Sequence, residues 1–364
     1  MKRLLIALSA IALACLALGA APAEPLSGGN AIMFLGARPN RVLVIDEATE
    51  KVIGFIPTKT GYPESMTLSK DKTRIYVQSS SYQDVEVIDV AKREVVDTIS
   101  FAEPGKRVMI RQFEADPQHR FAIVMTHAMK KLEDRWEIGG VSFFQYDLKE
   151  HKVMRTVPWP KGEEREGGVG LQFSPDGKYL YVFSEDIYVY DTTDFKEVDK
   201  WELSRPLEDG FGRINFNSTD DDYEEPGYFT GIFTVSDAVE NRRIMGIARI
   251  NLAKKSVDFY ALGPATGLRF ALAPGRKLAY GLHQEIGKYE FWGFDLVNHK
   301  ILNRVEFPGR PRMSMKTSSN GKLLYIFVAG NTIDIYEAAT YKYLRTITLD
   351  SDMTTGLAIV SGNR

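Results

Sequence analysis

Residues 173–203 read FSPDGKYLYVFSEDIYVYDTTDFKEVDKWEL. A turn quartet, Ser174-Pro175-Asp176-Gly177, leads into the alternating apolar run Tyr179-Leu180-Tyr181-Val182-Phe183. A short gap follows, then Ile187-Tyr188-Val189-Tyr190-Asp191, a second turn at Thr192-Thr193-Asp194, and a last run from Lys196 to Leu203. Runs of four to eight β-branched and aromatic residues, each bounded by Gly, Pro, Asp or Ser, predict short strands joined by tight hairpins. An Asp-Gly or Asn-Gly pair supplies the positive φ such a turn needs.

The same grammar recurs along the chain. It reads MTLSKDKTRIYVQS then VEVIDVAKREVVDTIS near residue 70, FALAPGRKLAYGL then FWGFDLVNHKILNRVEF near 275, and MSMKTSSNGKLLYIFVAG then IDIYEAATYKYLRTITL near 320. The polar residue that ends each third strand gives a register: Asp46, Asp89, Asp147, Asp191, Asn251, Asp295 and Glu337. The intervals are 43, 58, 44, 60, 44 and 42, so four agree within two residues and the two long ones each carry extra loop. Repeats of this length with four strands each predict an all-β, seven-bladed β-propeller. The first copy has only three strands, Ala31 to Leu35, Arg41 to Asp46 and Lys51 to Pro57. The chain, however, continues past its last copy as Thr354-Thr355-Gly356-Leu357-Ala358-Ile359-Val360. This C-terminal segment is expected to supply the missing innermost strand and close the first blade.

The bulk numbers agree. The chain has 364 residues, 44% of them hydrophobic, with a formal charge of −2 and no basic field of the kind nucleic-acid binding needs. Lys2 and Arg3 precede an apolar run from Leu4 to Leu18, and Ala21-Pro22-Ala23 offers small residues for cleavage. Residues 1–23 therefore read as a signal peptide, leaving 24–364 as one propeller domain with a charge of −4, periplasmic or secreted. No later stretch is long and apolar enough for a transmembrane anchor. The single cysteine, Cys15, falls inside the export segment, so the mature domain has no disulfide, thiolate metal site or haem attachment motif.

The repeats resemble the YVTN family of bacterial propellers through SPDGKYLYV, VEVIDVAKREVVDTI and VLVIDEATEKVIGFI. The resemblance covers most of the mature chain and implies a fold, not a ligand. The chain is also similar to the propeller subunits of periplasmic quinoprotein amine dehydrogenases, through ARPNRVLVIDEATEKVIGFI and the strand-returning C-terminus. That likeness implies a propeller providing docking surface and part of a substrate pocket, with the quinone cofactor built in a different, small subunit.

In a propeller the loops between strands two and three share a face with the links between blades. Two such loops are long, Thr126 to Gly140 and Ser236 to Arg243. Cations gather in or after the links: Lys106, Arg107, Arg111, Arg213, Arg269, Arg310 and Arg312. Guanidinium forks suit carboxylate and phosphate oxygens, so Arg107, Arg111, Arg213, Arg269 and Arg312 are candidates for an anion-binding channel mouth. The competing reading is solvated charge paired with Glu163, Glu164, Glu166, Glu208 and Asp209. His127 and Trp136 stand in or beside the first long loop, where Trp136 can stack on a ligand, anchor a partner or pin the loop. The acidic run STDDDYEEP belongs to the opposite face; Asp220, Asp222 and Glu224 are hard oxygen donors for Ca²⁺, although they lack EF-hand spacing and such a run is more often a solvated turn.

The five histidines form no zinc motif, and there is no nucleophile elbow, phosphate loop or dinucleotide fingerprint. These features favour an exported, non-catalytic propeller without a cofactor, binding a partner protein, a polymer or a small anionic ligand on the linker face. The alternatives are an oxidoreductase subunit of the amine dehydrogenase kind and a metal-assisted hydrolase or lactonase.

Overall fold

The computed structural model describes residues 25–158, 170–184, 186–203, 211–219, 222–327 and 330–361, with the side chains of 211–213 and 217–219 outside that description. Residues 1–23, read above as a signal peptide, lie outside the described residues, as do Glu163, Glu164, Glu166, Glu208, Asp209 and Asp220.

Seven antiparallel sheets of four strands each follow one another along the chain, and no helix occurs among the described residues. Blade 1 is assembled from both chain ends: Met353–Val360 lies beside Ile32–Ala37, followed by Arg41–Asp46 and Lys51–Pro57. The closing strand pairs antiparallel, with Ile32 opposite Val360 and Leu35 opposite Leu357. The innermost strands of blades 2 to 7 are Pro63–Leu68, Lys106–Ala115, Gly170–Phe173, Phe211–Thr219, Leu268–Leu272 and Ser314–Thr317.

Strand periodicity explains why the blades stack. Successive side chains point to opposite faces, and in this ring both faces of each sheet are covered. Met33, Leu35, Leu43 and Ile45 of blade 1 join a cluster with Leu323, Tyr325 and Ile335 of blade 7. The alternate residues Ile32, Phe34, Val42 and Val44 pack instead with Ile75, Val77 and Ile88 of blade 2. Each of the seven junctions between neighbouring blades has its own buried cluster. Central strands therefore read as nearly unbroken apolar runs, while outer strands such as Lys152–Thr156 stay exposed.

All seven register residues end their third strands as the spacing requires, at Asp46, Asp89, Asp147, Asp191, Asn251, Asp295 and Glu337. Most accept hydrogen bonds from the turn that follows, as Asp46 does from the Thr49 amide at 2.8 Å and Asp147 from the Glu150 amide at 2.8 Å. Four residues on, every copy carries a left-handed residue that is not glycine: Glu50, Arg93, His151, Phe195, Lys255, His299 and Tyr341, with φ between 50° and 59°. Fold symmetry thus extends to a backbone conformation that the residue types alone conceal.

Polar contacts also fasten neighbouring blades, as at the 7–1 and 2–3 junctions. At the 7–1 junction, Glu47 is fully buried. Its carboxylate accepts from the Ala31 amide at 3.0 Å, the Ser319 amide at 2.8 Å and the Tyr325 hydroxyl at 3.0 Å, and also from the Ser319 hydroxyl. At the 2–3 junction, His119 Nε2 donates to Asp71 at 2.9 Å and its Nδ1 meets the Tyr76 hydroxyl at 2.8 Å. Burial alone would raise the Asp71 carboxyl, but hydrogen bonds from Ser69, His119 and Thr73 outweigh it and hold the group well below its ordinary value of 3.8.

Replacing Glu47 with Ala strands several buried donors at once and should cost about 3–5 kcal/mol of unfolding free energy. Glu47→Gln, which keeps a carbonyl acceptor, should cost less. Urea unfolding that places Glu47→Ala within about 1 kcal/mol of wild type would show that Glu47 does not fasten the 7–1 junction. Because Asp71 titrates lower when folded than when unfolded, its contribution is complete above its unfolded pKa and fades as pH falls through and below that value. Asp71→Asn should therefore lower Tm at neutral pH and flatten the decline of Tm between about pH 5 and pH 3. An unchanged slope would show that this carboxylate carries no such linkage.

Candidate binding site

The linker face is shaped by hairpins where the sequence suggested loops. Blade 3 strands Phe121–Lys131 and Trp136–Asp147 continue past the body of the sheet and turn only at 132–135. Lys131 stands opposite Trp136 and Lys130 opposite Glu137, placing opposite charges across the pair. The inner strand keeps pace, with Lys106 opposite Lys130 and Arg107 opposite Met129. An irregularity at Gly139-Gly140 absorbs the mismatch in register between the two hairpin strands. In blade 5, Tyr228–Asp237 and Arg242–Asn251 pair to their ends, where Asp237 and Arg242 form an ion pair at 3.0 Å. The expected loops are therefore strands, with Lys130 facing Glu137 and Asp237 facing Arg242 across the ladders.

His127 has a structural role. Its Nε2 donates to the Gly139 carbonyl at 2.8 Å and pins the irregular part of the hairpin. Trp136 is not pinned: it is 51% exposed and shares an open cleft of about 680 Å³ with Arg107, Lys131, Ser81, Gln83 and Glu103. Lys106 at the cleft edge is occupied by Glu103 at 3.1 Å. Arg107 is exposed and makes no ion pair among the described residues. Two of the residues singled out in the sequence, Arg107 and Trp136, are thus brought together.

The other arginines are distributed. Arg111 is exposed halfway along the inner strand of blade 3 and lines a separate niche. Arg269 is exposed on the inner strand of blade 6, and Arg312 is exposed just before that of blade 7. Neither lines the Trp136 cleft. Arg213 lies on strand Phe211–Thr219, with its side chain outside the described residues. Arg310 is committed to Asp334 at 2.5 Å and to the Thr332 carbonyl at 3.1 Å.

The opposite end is closed by the acidic run, an arrangement the sequence did not suggest. Lys72 of blade 2 donates to the Asp222 carbonyl at 2.8 Å, and Lys316 of blade 7 meets the Asp222 carboxylate at 2.7 Å. The Tyr223 hydroxyl donates to Thr317 of blade 7 at 3.0 Å, and Arg276 of blade 6 donates to the Tyr223 carbonyl at 3.3 Å. A segment of blade 5 that touches blades 2, 6 and 7 must cross the axis. Tyr223 is buried in the 5–6 core, and the Glu224 side chain is only 4% exposed. Arg249 and Arg276 hold the Glu225 carboxyl below its usual range. The described part of the run is a plug rather than a solvated turn. Its carboxylates face Lys316, Arg249 and Arg276, and no group of three metal-ligating side chains occurs among the described residues. The available signal was Tyr223, an aromatic set among acids.

The remaining histidines hold turns and junctions. His151 meets Asp97 at 3.0 Å, His299 stacks on Tyr260 at 4.2 Å between centroids, and buried His283 contacts Thr266 at 3.1 Å.

No family model matches this chain, and no curated protein matches it. Solved structures do. A functionally unknown protein from Desulfotomaculum acetoxidans is 14% identical with a TM-score of 0.55, over 92% of this chain and 100% of that one. Apo AztD from Citrobacter koseri is 14% identical with a TM-score of 0.52, over 91% and 98%. The dihydro-heme d1 dehydrogenase NirN, in complex with DHE, is 12% identical with a TM-score of 0.54, over 93% and 77%. At such identities the likeness establishes the fold alone: this chain is a seven-bladed β-propeller, and its binding chemistry has to be read from its own residues.

Proposed function

We propose that the protein is an exported, non-catalytic propeller of the YVTN kind that docks a partner protein on its linker face, anchored in the Trp136 cleft. The carrying observation is that Trp136, Arg107 and Lys131 share one open cleft. A half-exposed indole beside two cations suits a protein segment that brings an apolar anchor and a carboxylate together. An open cleft of this kind favours a macromolecule over an engulfed small molecule, because small ligands prefer concave sites that bury most of their surface.

The hairpins support the same face. Ile138 on blade 3 is 66% exposed, Val239 at the tip of the blade 5 hairpin 79%, and Ile286 at the tip of the blade 6 hairpin 98%. Apolar side chains raised on three projections around one rim read as contact points. The export segment 1–23 would put the propeller where such a partner is also exported.

Trp136→Ala should weaken partner binding by about 2 kcal/mol, roughly thirtyfold. Arg107→Glu should slow association and reverse its salt dependence. The measurement is surface-immobilised capture from a periplasmic extract, followed by kinetics with the recovered partner. A partner held equally well by wild type and the Trp136→Ala/Arg107→Glu double variant would place docking elsewhere.

A further inference from the structure

The channel wall between blades 2 and 3 carries a second, separate feature. Pro63–Leu68 and Lys106–Ala115 are the innermost strands of their blades, and Ser65, Thr67 and Arg111 are exposed on them. Between them is a niche of about 160 Å³. Ser65, Thr67, Gln78, Arg111 and Gln112 supply its polar lining, and none of its eight lining residues is acidic.

The hydrogen-bonding capacity of the niche is unevenly used. Gln78 is engaged at both ends of its amide: the nitrogen donates to the Ile110 carbonyl at 2.8 Å, and the oxygen accepts from the Ser65 hydroxyl at 3.1 Å. The Tyr76 hydroxyl is taken by His119 at 2.8 Å. The Arg111 guanidinium, the Thr67 hydroxyl and the Gln112 amide make no hydrogen bond or ion pair among the described residues. One fork-shaped cation and two neutral donors thus border a small space free of carboxylates. We propose that this niche binds the oxyanion group of a small ligand, a carboxylate or a phosphate, with Arg111 as its principal contact.

Access follows from the two ends of the ring. The far end is crossed by Asp222, Tyr223 and Glu225, tied to Lys72, Lys316 and Arg276. The ligand therefore enters from the linker face and meets Arg111 partway down. Arg269, exposed on the inner strand of blade 6, offers a second cation to a ligand long enough to span the channel. The site is distinct from the Trp136 cleft, so either can fail without the other.

The test uses two probes, inorganic phosphate and acetate, titrated into the mature protein while Tm and heats of binding are followed. Wild type should be stabilised by one or both, and the responding anion identifies the source of the oxyanion. Arg111→Ala should weaken that binding at least roughly tenfold, with Arg111→Lys falling between because it keeps charge but loses the fork. Lys149→Ala, an exposed turn residue on the opposite face, should bind as wild type does. Circular dichroism confirms folding of each variant. Affinity retained within about twofold in folded Arg111→Ala, or no response of wild type to either anion up to roughly 50 mM, would overturn the assignment.

Discussion

A ring of stacked sheets depends on its closure. Six of the blades are built from consecutive strands, so the chain can make them one at a time; blade 1 alone joins Met353–Val360 to Ile32–Ala37, residues more than 300 apart. The entropic cost of bringing the ends together grows only logarithmically with loop length, by about 0.6 kcal/mol per doubling. Closure therefore costs little more than a far shorter link would, and it completes a junction whose cluster includes Leu35, Tyr325, Phe327 and Ile359, each essentially inaccessible. Glu47 specifies that junction. A buried carboxylate is tolerated only when its oxygens are satisfied, and here the satisfying groups come from the N-terminal strand and from blade 7 together. Any other blade against blade 1 would leave that charge without its partners.

Closure also makes the two ends of the channel different kinds of surface. At the far end, cations from blades 2, 6 and 7 converge on one segment of blade 5 and are consumed by it. At the linker end, Arg107 and Arg111 have no counter-ion among the described residues, and the hairpins of blades 3, 5 and 6 raise apolar side chains into solvent. Exposed apolar area raises the free energy of a surface that stays empty, and a guanidinium with no ion pair keeps its fork available to an anion. Their occurrence together at one end is the ground for the proposal that recognition sits there.

The strands were legible because the ring buries both faces of each sheet, giving unbroken apolar runs, and because one polar residue closes each third strand. Asp46 and Glu47 show the limit of that legibility. They are adjacent acids; Asp46 caps its own turn, a local contact any sequence reading can anticipate, while Glu47 crosses to Ser319 and Tyr325. The hairpin at 126–140 looked like a loop because its Gly139-Gly140 break interrupts the alternation that marks a strand. The plug was illegible for the same reason as Glu47: the partners of Asp222 and Tyr223 are 150 and 94 residues away. Among the arginines, sequence position could not tell Arg310, already bound to Asp334, from Arg107.

The two long repeat intervals, 58 and 60 residues, acquire meaning from where their extra residues go. In blade 5 part of the addition turns inward as the plug, with Tyr223 inside the 5–6 cluster. In blade 3 the addition is carried by three strands at once, since Lys106 and Arg107 pair with Lys130 and Met129 while Lys131 pairs with Trp136. A side chain on a free loop must be ordered when a partner arrives, at a cost in conformational entropy that weakens binding. Trp136 is held by a backbone ladder continuous with the blade. The backbone part of that ordering is done in folding, which favours the proposed docking role for the exposed indole.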